Sequence, residues 1–359
     1  MRSVLFIQNR THRAGAQTCL ARILHHLTAK AWNPILLCSP GGWLPAECAR
    51  FGVTVVEQKF PSSRSLIGRL VGNATFARSV ARKLDALRLR PTIVHANDHV
   101  EGLLGLEIAS WFRARSVISL RSSGMLSQDY VKYGCDTYDL VTAAGRELQQ
   151  SAQSWDKNRQ VLLINDGIGE DEFIDAKTKP LVAPSRVLVI GNAGEAKGWG
   201  DLADALAILD AENFSLPAFD FTGDAAEKPY NAVLKRIRTE CRFLGRIDAF
   251  RDLVRSYDLV INPSRNESFG MAAIEVLAAG VPLLSSKTGV IEQALDQPDA
   301  LFPPSQPRLL AATLKRVLQQ WRQIDFGVER SQANIRKRFP IDKTVSELNS
   351  AYDRLWTET

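Results

Sequence analysis

Short apolar runs rich in Val, Ile and Leu alternate with helix-periodic stretches along most of the chain, and few folds accept that alternation. A strand buried on both faces loses the apolar–polar alternation of a half-exposed one, and parallel neighbours require a helical crossover between them. In the first half the pattern predicts strands at 3–8, 34–39, 53–58, 92–97, 115–121, 140–144 and 161–166, with helices over 16–29, 76–89, 101–113 and 146–155. Residues 181–185 (LVAPS) read as a linker, after which the pattern restarts with RVLVIGN at 186–192. Further strands are expected at 218–223, 241–245, 259–264 and 281–286. Helices are expected over 199–209, 230–238, 250–256, 268–279 and 308–323, and a last one over about 342–356. The reading is an α/β protein of two doubly wound halves, 1–183 and 184–340, with 341–359 as a helix packing back toward the first half. Ligands of doubly wound sheets bind outside the carboxyl ends of the strands, so a cleft between two facing halves is the expected site.

At 359 residues the chain has length for two domains with separate cores. No apolar run reaches the ~18 residues of a membrane-spanning helix, and Met1-Arg-Ser leads directly into a strand rather than a leader. Five scattered cysteines, without a CxxC pair, argue against a disulfide framework or zinc site and for a reducing cytoplasm. Charge is uneven: residues 1–165 hold 21 Lys/Arg against 11 Asp/Glu, and the remainder 24 against 28. Between Pro61 and Pro91, Arg64, Arg69, Arg78, Arg82, Lys83, Arg88 and Arg90 face one acid, Asp85. That segment is either a solvated basic face of amphipathic helices or a peripheral contact with anionic membrane or an anionic acceptor. Nucleic acid is not expected, since no recognition motif accompanies the charge.

Residues 258–295 concentrate the chemistry. A strand runs into Pro263, a polar turn and a helix, for which Ser268 is the expected N-cap, Gly280 the C′ glycine and Pro282 the stop. From Met271 to Ala279 that helix is apolar except for Glu275, and a second acid, Glu267, precedes the cap. A carboxylate among apolar residues must be exposed or matched to donors, and a helix N-terminus beside it attracts anions. Hydroxyl donors together with an anion describe a sugar nucleotide. Earlier, Gly15 lies near a helix start after strand 3–8 and permits close approach of backbone to phosphate, although no G-x-G-x-x-G is present. Lys197 sits in a glycine-bracketed loop (GNAGEAKGWG) after strand 186–191, where a point charge meets a diphosphate.

Together these pieces resemble the retaining GT-B glycosyltransferases of the family 4 type. The landmarks run in order: Gly15-Ala16-Gln17, His95, Ile164-Asn165-Asp166-Gly167-Ile168, the lysine loop 191–198, Phe221-Thr222-Gly223-Asp224, Phe243-Leu244-Gly245, and Pro263-Ser264…Glu267-Ser268-Phe269-Gly270…Glu275. The resemblance implies two Rossmann-like domains facing each other across a cleft, an acceptor side first and a nucleotide-sugar side second. It implies that Glu275 holds the ribose hydroxyls, Glu267 contacts the donor sugar, Lys197 neutralises the leaving diphosphate and Gly15 approaches it. Backbone N–H groups around Ser268, Phe269, Gly270 and Met271 would cradle sugar and phosphate, with Phe243 and Leu244 near the base. Glu267, Lys197 and His95 are the implied catalytic set, and Asn97, Asp98, His99 and Arg121 the implied acceptor side. No cofactor or metal is implied, and the chain has no Asp-x-Asp motif.

The chain departs from this pattern in places. Asn192 stands where an arginine usually shares the diphosphate, which leaves Arg13, Arg246, Arg265 or Lys287 to replace its charge. Thr288-Gly289-Val290 carries one glycine where two are usual, Asn97 replaces a second histidine, and Arg121-Ser122-Ser123-Gly124 replaces a His-Gly. The expected activity is metal-independent transfer of a hexose from a nucleoside diphosphate such as UDP to a hydroxyl of a glycan or glycolipid precursor. The setting would be surface-polysaccharide or lipopolysaccharide-type synthesis in the cytoplasm, at the inner face of the membrane. The rival readings are a catalytically silent nucleotide-sugar-binding partner subunit and, with no histidine after His99 to serve as acid or base, less readily a sugar-nucleotide epimerase.

Overall fold

The computed structural model describes residues 2–27, 32–61, 66–191, 194–223, 237–245 and 247–357, with backbone alone for 66–71. The chain divides into two compact units, Met1–Ile168 with Phe339–Thr359, and Gly169–Arg338.

In the first unit seven strands form one parallel sheet: β1 (Ser3–Gln8), β2 (Asn33–Cys38), β3 (Thr54–Glu57), β4 (Ile93–Ala96), β5 (Arg115–Leu120), β6 (Leu140–Ala143) and β7 (Val161–Leu163). Their order is β3-β2-β1-β4-β5-β6-β7, so β1 pairs with both β2 and β4 and the winding reverses there. Between them run α1 (Gly15–Leu27), α2 (Trp43–Arg50), α3 (Leu66–Ala86), α4 (Gly102–Phe112), α5 (Ser127–Lys132) and α6 (Arg146–Trp155). Alternate residues of β1 supply two cores. Val4 and Phe6 pack with Leu20, Leu24 and Trp32, while Leu5 and Ile7 pack with Val80, Leu84 and Ile108. The first core also takes Val345, Leu348 and Tyr352 from the helix Ile341–Thr357, whose Asp353 accepts hydrogen bonds from Arg2 and from the Trp32 indole.

In the second unit six parallel strands follow the order β10-β9-β8-β11-β12-β13. They are β8 (Arg186–Val189), β9 (Ala218–Phe221), β10 (Cys241–Phe243), β11 (Val260–Asn262), β12 (Leu283–Ser286) and β13 (Leu301–Phe302). The described helices are α7 (Trp199–Ala211), α8 (Phe250–Arg255), α9 (Met271–Ala278), α10 (Ile291–Ala294), α11 (Pro307–Gln319) and α12 (Val328–Arg338). Here the winding reverses between β8 and β11, which pair directly.

The alternation of short strands and helices is as expected, and the unit boundary is not. Residues 169–183 belong to the second unit, because Ile174 and Lys177 donate backbone hydrogen bonds to Ala278 and Gly280 and the Lys177 ammonium pairs with Asp258. The crossing lies at Ile168, which bridges to Pro340. Gly167 beside it has no room for a Cβ, which would stand 2.5 Å from Ile341 Cα. Helix α3 begins ten residues earlier than the expected Phe76. Most of the helix expected over 230–238 falls on residues outside those described.

Candidate active site

In the second unit the loops that leave β8 and β11 emerge side by side, because those strands are neighbours at the reversal point. Three contacts bind the loops together. Arg265 and Asn266 donate their backbone N–H groups to Ala196 O, at 2.8 and 3.4 Å. Gly198 adopts φ +66°, and a Cβ there would lie 1.8 Å from Pro263 O. The Arg265 guanidinium grips both carboxylate oxygens of Asp201 at 2.7 Å and Glu195 at 2.9 Å. Within this frame Lys197 Nζ donates to Glu267 Oε1 at 2.6 Å, with the lysine side chain 33% and the glutamate 16% exposed. Ser264 Oγ lies 2.7 Å from the same oxygen and 2.9 Å from Asn262 Oδ1, so its one proton is shared between two acceptors. Two residues named from separate motifs, seventy positions apart, thus form one ion pair at the carboxyl edge of the sheet.

The helix after Glu267 starts later than expected. Ser268 is not its N-cap: α9 opens at Met271, and the preceding Gly270 takes φ +92°. Residues 267–270 cannot join the helix because they are pinned to the neighbouring turn. Val290 N–H donates to Phe269 O, and Gly289, at φ +61°, approaches so closely that a Cβ would stand 2.3 Å from that oxygen. The single glycine left in Thr288-Gly289-Val290 is therefore the one that this packing demands. Gly280 ends the helix in the left-handed conformation, as expected for a C′ glycine. Glu275 lies half-buried in a helix whose other residues, apart from Ala272, are buried. Phe243 closes an aromatic group with Phe221 and Trp199, at ring distances of 5.4 and 5.8 Å. Leu244 follows it half-buried. Among the cations considered as substitutes at position 192, Arg265 is held by Asp201 and Glu195. Lys287 lies 3.5 Å from Glu292 on the surface, and Arg13 stacks over Trp43 in the other unit. Asn192 and Arg246 lie outside the described residues.

In the first unit Gly15 opens α1 exposed, with nothing within 4 Å of where a Cβ would be. His95 is another matter. It is 2% exposed, with Nδ1 bonded to Tyr352 Oη at 2.6 Å and Nε2 to Ser119 Oγ at 2.7 Å. Burial and the nearby Arg121 charge push its pKa down to about 3. Its geometry is that of a neutral imidazole joining β4, β5 and the 341–357 helix, not of a group that meets substrate, so the catalytic role expected for it finds no support here. The expected acceptor residues are likewise bonded to one another. Asn97, 1% exposed, donates to Gln8 and accepts from Arg121 Nε at 3.0 Å. Arg121, its side chain 8% exposed, pairs with Asp166 at 2.5 Å. Asp98 accepts from His99 N and Nδ1 and from Ser122 Oγ. Burial would raise its pKa, but these bonds and the histidine outweigh that and hold it below the ordinary value. These four residues brace the ends of β4 and β5 to the residues after β7. The resemblance named these residues; their bonding to one another depends on strand neighbours that sequence does not show.

Residues 184–320 match the family model described as Glycosyl transferases group 1. The chain is 24% identical over 342 residues to the glycogen synthase of Mycobacterium tuberculosis, covering 83% of this chain and 82% of that protein. It is 37% identical over 239 residues to a D-inositol 3-phosphate glycosyltransferase of Salinispora arenicola, covering 62% of this chain and 49% of that one. Among solved structures it resembles Anabaena HepE in complex with UDP and glucose, with a TM-score of 0.79 at 17% identity, over 98% of this chain and 100% of the other. The structural likeness shows the fold, a two-domain α/β fold of the GT-B type. The group 1 domain and the glycosyltransferase relatives identify the chain as a glycosyltransferase enzyme.

Proposed function

We propose that this enzyme is a retaining transferase of the family 4 type, which moves a hexose from a nucleoside diphosphate sugar to a hydroxyl of a glycan or glycolipid precursor. The observation that carries the reading is the Lys197–Glu267 pair at the reversal point of the second sheet, with Ser264 behind it. A cation and a sugar-binding carboxylate within one contact suit a ligand whose diphosphate and sugar are adjacent. In this reading Lys197 turns to the β-phosphate and Glu267, released from it, accepts from donor sugar hydroxyls. Glu275 accepts the two ribose hydroxyls, and the N–H groups of Phe269, Gly270 and Met271 face the sugar and phosphate. Phe243 and Leu244 lie toward the base.

The chemistry follows from charge. The bond from the anomeric carbon to the phosphate oxygen breaks, leaving a nucleoside diphosphate with new negative charge on its β-phosphate. A cation fixed there is more strongly engaged in the transition state than in the ground state, and so lowers the barrier selectively. The acceptor oxygen bonds to the anomeric carbon on the face the phosphate leaves, and its proton passes to the departing phosphate oxygen. Neither His95 nor any other histidine of this chain is required as base. A cytoplasmic reaction at the membrane surface is supported by five free cysteines and by Arg78, Arg82, Arg88 and Arg90 standing exposed on and just after α3. No described helix is long and apolar enough to cross a membrane.

A panel of UDP-, GDP- and ADP-sugars, assayed for release of the nucleoside diphosphate and for binding by calorimetry, tests the reading. Turnover with at least one donor is expected, and Glu275→Ala should weaken that donor at least tenfold, since a carboxylate accepting two hydroxyls contributes ~1.5–3 kcal/mol. Absence of binding to every donor, with Glu275→Ala indistinguishable from wild type, would overturn it. Donor binding without transfer in any acceptor extract would instead indicate the silent binding subunit.

A further inference from the structure

Lys197 lies on a single 3-10 turn between Gly194 and Gly198, and nothing within that turn fixes where its ammonium points. What confines it comes from the β11 loop. One guanidinium, that of Arg265, reaches Glu195 two residues before the lysine and Asp201 four residues after it. The two arms differ in kind. Glu195 is 87% exposed, so that arm is screened by water and contributes little. Asp201, with a side chain 7% exposed on the first turn of α7, accepts two parallel bonds at 2.7 Å in the fork geometry that only an arginine supplies. The backbone bonds from Arg265 and Asn266 cross to Ala196 O in the lysine loop beside them.

We propose that Arg265 and Asp201 are positioning residues. Their clasp fixes the Lys197 loop against the Glu267 turn, and it acts on the reaction only through the place it gives Lys197. The inference rests on the reading of Lys197 as the cation that meets the leaving diphosphate. It also redefines Arg265: its charge is committed to Asp201, so it does not stand in for the arginine missing at position 192. A displacement of ~1 Å at a catalytic group can cost ~100-fold, so loss of the clasp registers as rate before it registers as affinity.

Two measurements on purified full-length protein test this and separate it from the underlying reading. The first needs no substrate: the rate of Lys197 acylation by a small amine-reactive reagent, followed by peptide mass spectrometry. Asp201→Asn should expose Lys197 and raise that rate several-fold relative to other lysines, and Arg265→Lys should do the same, because an ammonium cannot reproduce the fork. The second is kinetic, using whichever sugar nucleotide turns over. Asp201→Asn should lower kcat at least ~tenfold with KM changed less than kcat, and this loss should vanish in a Lys197→Ala background, the signature of two residues acting as one unit. Unchanged Lys197 reactivity in folded Asp201→Asn and Arg265→Lys variants overturns the proposal. So does a kcat loss that persists in full without Lys197, since that is what a merely structural residue would show. If Lys197→Ala itself leaves kcat unchanged while the clasp variants still raise acylation, the clasp stands and the catalytic assignment of Lys197 fails.

Discussion

Glu101 has a carboxyl group in the interior of the first unit, 2% exposed, just past the end of β4. Oε1 accepts the backbone N–H of Asn9 at 3.1 Å, while Oε2 is buried with no hydrogen-bond partner among the described residues. Burial, with the Asp98 charge adding to it and Asn9 and Arg10 opposing, pushes its pKa from 4.5 up to about 8. The sign follows from linkage. A carboxyl whose folded pKa is raised binds its proton more tightly in the native state, so its contribution to stability is intact below pH 4.5 and is lost progressively as pH rises toward 8. The neutral isostere cannot titrate. Glu101→Gln should therefore be more stable than wild type at pH 8 by on the order of a few kcal/mol, and the margin should shrink as pH is lowered to 5. Thermal unfolding at four pH values measures the margin; parallel curves for the two proteins would exclude the ionisation. Glu101 could not be singled out from sequence, because one acid after a strand end reads as solvated, and its partner, the Asn9 backbone N–H, lies ninety-two residues away.

At the scale of elements, the site depends on two loops meeting, and Gly198 is the point of closest approach. An alanine there would need φ +66° and would drive its Cβ into Pro263 O. Gly198→Ala should cost the second unit more than ~2 kcal/mol and should abolish turnover even where the protein remains folded. Calorimetry and the donor assay report the two effects separately, and a stable, active variant would refute the packing described. The strands were legible because parallel strands covered on both faces are written as unbroken Val/Ile/Leu runs. The elements that escaped are those whose structure comes from their neighbours. Helix α12 (VERSQANIRKR) has few apolar residues, and its Gln332 is held by the carbonyls of Ile174, Leu277 and Ala278. Helix α2 opens after Gly41-Gly42 and contains Pro45, which a first turn tolerates but which reads as a break. For the site, Lys197 and Glu267 were each legible in their own motif. Their contact was not, because it is set by which strand lies beside which.

At the scale of the whole molecule, the first unit is discontinuous. Its core is finished by Val345, Leu348 and Tyr352, which follow the entire second unit in the chain. Truncation after Arg338 should leave the second unit able to fold and the first unable to, visible as a fragment that keeps one protected core in hydrogen exchange and loses the other. Retention of exchange protection in β1 and β4 by the truncated chain would show that the helix is dispensable. The same discontinuity fixes an order of events at the ribosome. Some 170 residues of the second unit, Gly169–Arg338, must be translated before the helix that seals the first unit exists, a wait of roughly ten to thirty seconds at ordinary elongation rates. During that interval the apolar groove reserved for Tyr352, beside Phe6 and His95, is open. The second unit, complete in sequence by Arg338, is therefore expected to reach its native state before the first, which pulse proteolysis of stalled nascent chains would check.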